Sequence, residues 1–327
     1  MDVPCVQVER EDGEATRQAL ADEDLVNQEH KIVHDDGWLY IPVTDPAAVP
    51  VSHEVVDHAV PERKTQTMPD DLVDFVASYE RLGEVVLIDE DDDARARALA
   101  DAIVESDIPM KSVLNRASKI QGETRIRDWD VLAGADTEAV HREYGCAFAL
   151  DLAAVYFSPR LATERHRVVE QVQSEERIFD MFAGVGPFVI PCAKQGAEVV
   201  GTDINATAIN YLHENAERNS VAERVTATHD DVRVIATDYE GWADRLVMNL
   251  PHSADEFLDT AKRLASEECM LHYYDIQHED APFEPGIQRI REIMEPEYAV
   301  DIETKHVVRS YAPHEDNVVL DVRLLRD

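Results

Sequence analysis

Long apolar runs are missing from this 327-residue chain. None approaches the ~18 residues that a membrane span needs, and no charged-then-apolar leader opens the sequence. We therefore expect a cytoplasmic protein with no membrane partner. Cysteine is scarce: Cys5, Cys146, Cys192 and Cys269 are scattered without a C-x-x-C pair. That excludes a disulfide framework or a zinc ribbon and leaves reduced thiols and no metal as the expectation. Lysine is depleted, with only 7 among 31 basic residues, against 68 acidic ones and a net charge of −37. Acid excess spread over a chain that is 44% hydrophobic is unlike a disordered acidic tail. It reads as the surface of a halophile's protein, because in molar salt the Debye length is roughly 3 Å and self-repulsion is screened. The charge is thus a signal of habitat and says little about the partner.

A Gly-x-x-x-x-Gly-Lys phosphate loop is also absent. What is present is the run Ile178 to Phe182, an expected buried strand that breaks at Gly184-Val185-Gly186, with Pro187 suited to the first position of a following helix. A second apolar strand ends in Asp203, followed by Ile204 and Asn205. Glycines let a ligand approach the backbone closely, and a carboxylate at the next strand end can accept both hydroxyls of a ribose. Two such strand ends side by side form an adenosine site at the carboxyl edge of a parallel sheet. Val189 stands where a dinucleotide fingerprint wants a small residue, so no diphosphate cradle is expected. That favours S-adenosylmethionine over NAD or ATP.

The length suffices for two or three domains. Residues 1–45 read as a small β/α module: strand Pro4 to Glu9, helix Gly13 to Ala21, strand Trp38 to Val43. Five of the fifteen prolines fall between Pro42 and Pro69, so 46–67 reads as a semi-rigid linker. Residues 68–165 read as a middle α/β domain. It has a helical stripe at Leu72, Val73, Phe75, Val76 and Tyr79, a helix at Ala94 to Ile103, and strands at Glu84 to Ile88, Ser112 to Leu114, Asp128 to Leu132 and Ala147 to Phe157. Within it, Lys111, Arg116, Lys119, Arg125 and Arg127 face one acid, Glu123. This is either a face neutralised by neighbouring carboxylates or the surface that meets phosphate. From 166 to 327, strands alternate with helices, including Ala206 to Asn219 with its stripe Ile209, Leu212, Ala216, and the chain closes on a β-pair. The expected fold is therefore α/β, a doubly wound, mostly parallel Rossmann-like sheet with an antiparallel edge, preceded by two smaller α+β modules.

Two further strand ends fall on the same edge. Asp231, in His229-Asp230-Asp231-Val232, can accept from an adenine amino group or simply cap a helix. Met248-Asn249-Leu250-Pro251 closes the next strand over the expected position of a methyl group, while His252 reads as a surface residue. Together, Asp180-Met-Phe-Ala-Gly-Val-Gly-Pro-Phe188, Met248-Asn-Leu-Pro251, Tyr156-Phe-Ser-Pro-Arg-Leu161 with Glu164, and Arg309-Ser-Tyr-Ala-Pro313 resemble the archaeal and eukaryotic tRNA (guanine(37)-N1)-methyltransferases. Ser112 to Ser118, Gly122 to Arg125 and the N-terminal module extend the resemblance over nearly the whole chain.

The resemblance implies a Rossmann-like class I methyltransferase domain, a monomer, and an N-terminal module that inspects the tertiary core of tRNA while the anticodon loop is modified. It implies that Arg125 bonds the guanine O6, Glu164 takes the N1 proton, and Tyr156, Asn249 and Pro251 form the base pocket. It places Arg160, Phe182, Gly184, Val185, Gly186, Asp203, Ile204, Asp231, Val232 and Asn249 around S-adenosylmethionine, with Arg165 near the cofactor carboxylate. The residue types suit the chemistry, since attack by a protonated ring nitrogen needs a base and a positive group for charge developing at O6. Arg160, Arg165 and Arg167 are expected to face phosphate. The rivals are a relative that transfers the aminocarboxypropyl group to a wyosine-type base, and a non-catalytic tRNA-binding protein.

Overall fold

The first strand, β1 (Asp2–Glu9), is apolar on both faces, with Cys5, Val6 and Val8 all buried, as a central strand must be. The computed structural model describes residues 2–63, 66–118, 122 and 126–326, and the chain divides into two units, Met1–Leu72 and Val73–Asp327. In the first unit α1 (Gly13–Asp22), β2 (Val33–Asp35), β3 (Trp38–Pro42) and β4 (Glu54–Ala59) complete a sheet of order β2-β3-β1-β4. Leu20 of α1 packs on Val6, Val8 and Ile41. The expected linker over 46–67 is corrected here. β4 lies between Pro50 and Pro61, contains no proline itself, and pairs antiparallel with β1 from Asp2–Ala59 to Gln7–Glu54.

The second unit opens with β5 (Tyr79–Leu82), β6 (Val85–Ile88), α2 (Asp93–Glu105), β7 (Ser112–Arg116) and β8 (Trp129–Ala133), in sheet order β5-β6-β7-β8. The helix expected over Leu72 to Tyr79 is absent. Burial alternates instead, with Val73, Phe75, Ala77 and Tyr79 partly buried and Leu72 and Val76 exposed, a two-residue period that no helix produces, and a 3-10 turn forms at Pro69–Asp71. A hairpin of β9 (Glu138–Glu143) and β10 (Cys146–Asp151) follows. The strand expected to reach Phe157 stops at Asp151, whose carboxylate accepts from Thr137 Oγ1 at 2.5 Å and from the Ala153 N–H at 2.9 Å and so turns the chain.

Then come α3 (Ala162–Val169), β11 (Arg177–Asp180), α4 (Val189–Lys194), β12 (Glu198–Asp203), α5 (Ala206–Arg218), β13 (Val225–His229), α6 (Val232–Ile235), β14 (Ala243–Met248), α7 (Leu258–Leu264), β15 (Ala265–His278), α8 (Glu284–Met294), β16 (Tyr298–Ala312) and β17 (Glu315–Arg326). They build a seven-stranded sheet of order β13-β12-β11-β14-β15-β17-β16. The first five strands are parallel and β17 runs antiparallel to both neighbours, which is the expected doubly wound sheet with an antiparallel edge. Strand order reverses between β11 and β14, the position where such sheets bind ligands at their carboxyl ends. One core joins Leu82, Phe148, Val168, Ile178 and Val199. The boundary expected at 165/166 therefore does not separate two units. Among the described residues, no helix is long and apolar enough to cross a membrane, no cluster of metal-ligating side chains occurs, and all four cysteines are free and buried.

Candidate active site

The carboxyl edge is built around the turn after β11. Gly184 and Gly186 have φ of +53° and +90°, a region that L side chains avoid. A Cβ on Gly186 would also lie 2.3 Å from Leu212 Cδ1 of α5, whereas one on Gly184 would meet nothing within 4 Å. Gly186 is thus needed for packing, and Gly184 leaves open room beside the backbone. α4 starts at Val189 with Pro187 in the preceding turn, two residues later than expected. Val189 packs on Gly201 of β12, whose Cβ would be 3.0 Å from it. The small residue missing from the helix is supplied by the strand.

Asp203 closes β12 and joins the two strand ends directly. Its Oδ2 accepts from the Gly184 N–H and its Oδ1 from the Asn205 N–H, both at 2.8 Å. Each oxygen retains acceptor capacity for a hydroxyl. Burial lifts its pKa above the ordinary carboxylate value. Ile204 beside it is 44% exposed, an apolar face next to two acceptors. The side chains of Val185 and Val232 are buried in the core, so only their backbones can face a cofactor. Asp231 caps α6 by accepting from the Arg233 N–H at 2.9 Å and pairs with the Arg233 guanidinium, which holds its pKa down. The plainer capping role is the one observed. Arg233 lies 5.0 Å over the Phe257 ring, and Phe257 meets Phe182 edge-on at 5.0 Å.

Two polar residues here escaped the sequence reading. Asp180, at the end of β11, is 1% exposed; its Oδ1 accepts from the Phe182 N–H at 3.2 Å and its Oδ2 has no partner. Burial, with Asp203 adding to it, pushes its pKa up to about 7. An unpartnered buried carboxylate oxygen is costly unless something cationic or hydrogen-bonding completes it. Asn215 of α5 is fully buried and clamps Ala149 of β10 through both N–H and C=O, at 2.7 and 3.0 Å, while its Nδ2 donates to the Val185 carbonyl at 3.0 Å. It ties the glycine turn to the middle hairpin. The signal for both was a polar residue on an otherwise apolar strand or helix face.

Glu164 on α3 is 5% exposed. Tyr274 Oη donates to its Oε1 at 2.7 Å, and Arg167 forks onto both oxygens at 2.8 Å. Glu164 and Arg167 thus form an ion pair turned inward on the Glu164 side. Tyr274 follows Tyr273, which pairs with Met248, so Asn249, half-buried after β14, lies next along the edge from the residue that holds Glu164. Pro251 is buried and its carbonyl accepts from the Ile276 N–H at 3.0 Å, while His252 contacts Tyr311 Oη at 3.1 Å. Half-buried Tyr156 sits in a pinned loop: Asn205 Nδ2 donates to the Ala154 carbonyl at 2.9 Å and Arg165 Nη1 to the Ser158 carbonyl at 3.1 Å.

The expected phosphate-facing roles of Arg165 and Arg167 are corrected. Arg165 is 3% exposed, with its fork on Glu143 at 2.7 and 2.6 Å. Its Nε and Nη2 bind Glu143 of β9 and its Nη1 the Ser158 carbonyl in the loop carrying Tyr156, so the guanidinium is held inside the protein. Arg167 is spent on Glu164 and Asp321. Arg160 pairs closely with Glu80 of β5. In the basic segment, Arg116 pairs with Glu80 and Asp89, Lys111 with Asp136 at 3.0 Å, and Arg127 lies 5.5 Å over Trp129. Neutralisation by neighbouring carboxylates thus accounts for Lys111 and Arg116. Arg125 and Lys119 lie outside the described residues.

The chain is similar to known proteins over nearly its whole length. Residues 139–303 match the TRM5/TYW2 methyltransferase domain, residues 5–51 the tRNA methyltransferase 5 N-terminal domain, and residues 64–137 the TYW2 N-terminal domain. A tRNA (guanine(37)-N(1))-methyltransferase Trm5b of Pyrococcus abyssi is 37% identical, with 98% of each chain covered. A tRNA(Phe) (4-demethylwyosine(37)-C(7)) aminocarboxypropyltransferase of Pyrococcus horikoshii is 32% identical over 80% of this chain and 95% of its own. The solved complex of aTrm5 with tRNALeu superposes with a TM-score of 0.76 at 30% identity, covering 98% of this chain and 99% of that one. Matched in order from its first module through the glycine turn and the Glu164 pocket, the chain belongs to the TRM5/TYW2 methyltransferase family.

Proposed function

We propose that the protein transfers the methyl group of S-adenosylmethionine to N1 of guanine 37 in tRNA. The observation that carries the reading is a buried carboxylate, Glu164, held by Tyr274 next to Asn249 on the edge that carries the Gly184–Asp203 pair. When bound, the cofactor supplies an electrophilic sulfonium methyl. The residues present fit it. Asp203 would take the ribose hydroxyls, Ile204 would cover the adenine, Gly184 would let the chain pass close, and the unpartnered Asp180 oxygen would meet the cofactor's ammonium. Phe182 and Asp231 would line the adenine side.

Guanine N1 carries a proton at neutral pH, so Glu164 would accept it as the nitrogen attacks. Tyr156 and Asn249 would hold the flipped base, with Pro251 shaping the strand end. Arg125 would stabilise charge at O6, a role that rests on the sequence motif. The first unit would inspect the tRNA core. We further read the acid excess as that of a halophile's cytoplasmic monomer without a membrane partner.

The rival aminocarboxypropyl transfer is supported by the match of residues 64–137 to the TYW2 N-terminal domain. The intact Asn249-Leu-Pro251 and Glu164 favour methylation, because the other chemistry needs a different cofactor pose and not this base. Mass analysis of nucleosides from a guanine-37 tRNA incubated with enzyme and cofactor tests the proposal. 1-Methylguanosine at position 37 supports it; an unmodified base or an aminocarboxypropyl adduct refutes it.

A further inference from the structure

Behind Glu164 lies a row of buried and half-buried polar groups that the proposed chemistry does not use. Arg167, which forks onto Glu164, turns its other edge to Asp321 of β17, with Nη1 to Oδ2 at 2.5 Å and Nη2 to Oδ1 at 3.1 Å. Asp321 is 2% exposed and its Oδ1 lies 2.6 Å from His272 Nδ1. His272 is fully buried and its Nε2 lies 2.6 Å from Arg245 Nη1. Arg245 in turn pairs with Glu176 at 2.7 Å. A guanidinium can only donate, so His272 Nε2 is the acceptor, Nδ1 carries the proton, and that proton is donated to Asp321. His272 is therefore neutral, in keeping with burial that lowers its pKa. The row reads Glu164 (−), Arg167 (+), Asp321 (−), His272 (0), Arg245 (+), Glu176 (−).

We infer that Asp321 is a positioning residue that keeps Glu164 able to take a proton, by acting as a second anion on Arg167. The inference rests on Glu164 being the base. Were Glu164 the sole anion facing Arg167, protonating it would strand a half-buried guanidinium without a carboxylate, and leaving one member of such a pair alone is destabilising. Glu164 would then hold its charge and be a poor base. With Asp321 on the other edge, Arg167 remains paired when Glu164 becomes neutral. The contacts are built for this role. His272 and Arg167 hold Asp321 ionised, well below the usual carboxylate range, so the second anion does not compete for the proton. Tyr274, whose pKa burial raises, stays a donor to Glu164 throughout.

The groups facing Glu164 are Arg167 on its own helix, Tyr274 from β15, with His272 of that strand behind Asp321, Asp321 from β17 through Arg167, and His306 from β16 at 3.8 Å. His306 is half-exposed, and its contact with Glu164 would overlay any readout from the row. The test therefore uses full-length protein carrying His306→Asn.

In this background, single-turnover methylation of a guanine-37 tRNA is followed against pH for the parent, Asp321→Asn, Asp321→Glu, Arg167→Gln and Glu164→Gln. Cofactor affinity and the circular dichroism spectrum serve as checks on the fold. A charge removed within contact range moves a carboxyl pKa by about one unit or more. Asp321→Asn should move the acid limb to lower pH by about one unit and reduce the plateau rate, and Asp321→Glu should restore the parent profile. Arg167→Gln, which leaves two acids facing each other, should move the limb to higher pH.

A purely structural role would not shift the two limbs in opposite directions. Limbs that stay put, or move the same way, overturn the inference. If Asp321→Asn does not fold, Asp321→Ser, which also removes the charge, is read in its place against Arg167→Gln. If Glu164→Gln keeps the parent's rate and limb, the assignment of the base has failed and this inference falls with it. If Glu164→Gln loses the limb while the others do not move, the inference alone falls.

Discussion

Asp180→Asn isolates the unpartnered carboxylate at the centre of the proposed cofactor site. In the cofactor-free fold, burial lifts Asp180 from 3.8 to about 7, some three units, and at 1.36 kcal/mol per unit holding it ionised costs ~4 kcal/mol. Because the folded value lies above the unfolded one, the folded state binds more protons between them. The contribution of Asp180 is fully present below the ordinary carboxyl pKa and is lost as pH rises through about 7. Asparagine has the same shape and does not ionise. Denaturant unfolding of the cofactor-free variant should show a gain near zero at about pH 4 that grows to ~4 kcal/mol by about pH 8. Calorimetry should show the opposite for ligand: loss of the ammonium's partner should weaken S-adenosylmethionine roughly 10²-fold or more. A stability difference that is flat with pH, or unchanged cofactor affinity, would refute the placement of Asp180.

Three other changes have defined outcomes. Asp203→Ala should weaken S-adenosylmethionine by ~1–3 kcal/mol, the cost of stranding polar ribose groups; unchanged affinity by calorimetry in a folded variant would remove Asp203 from the site. Glu164→Gln should spare cofactor and tRNA binding while lowering the single-turnover rate roughly 10²–10⁴-fold; a rate within a few-fold of wild type would move the base elsewhere. Gly186→Ala forces a side chain into φ +90° and onto Leu212, so thermal unfolding should report a loss on the order of 3 kcal/mol.

Salt dependence tests the reading of the charge. Arg165 is buried, Arg167 is half-buried on two carboxylates and Arg116 is paired to carboxylates, so these cations expected to face phosphate are committed to the protein itself. tRNA recognition by counterion release would then be weak. Activity should rise or stay flat from low to molar salt. A monotonic fall in tRNA binding with added salt, while the fold stays intact, would contradict the halophile reading.

The parallel sheet and its ligand edge were legible because local signals agreed there. The apolar run Ile178 to Phe182 met glycines, and the next strand ended in an acid, as β11, the turn and β12 confirm. Where only one signal was present it misled. The stripe Leu72 to Tyr79 has helical spacing, yet Phe75 and Tyr79 pack on the core while Leu72 and Val76 face outward, since spacing alone does not say which period burial follows. Prolines around 46–67 suggested a linker, but β4 is set by pairing with β1, a partner distant in sequence. Charge was misjudged by the same limit. Arg165 and Arg167 read as surface cations, and their burial depends on Glu143 and Asp321 from other strands. Asp180 was passed over because a carboxylate inside an apolar run looked like part of the strand, when its isolation was the signal.

The most direct measurement uses cofactor labelled separately in its methyl and in its aminocarboxypropyl group, with transcripts that carry either guanine or adenine at position 37. The account predicts that only the methyl label appears in tRNA, only in the guanine-37 transcript, and at N1 of that base. Transfer of the aminocarboxypropyl label, methylation of both transcripts alike, or a methyl group on another atom would contradict it.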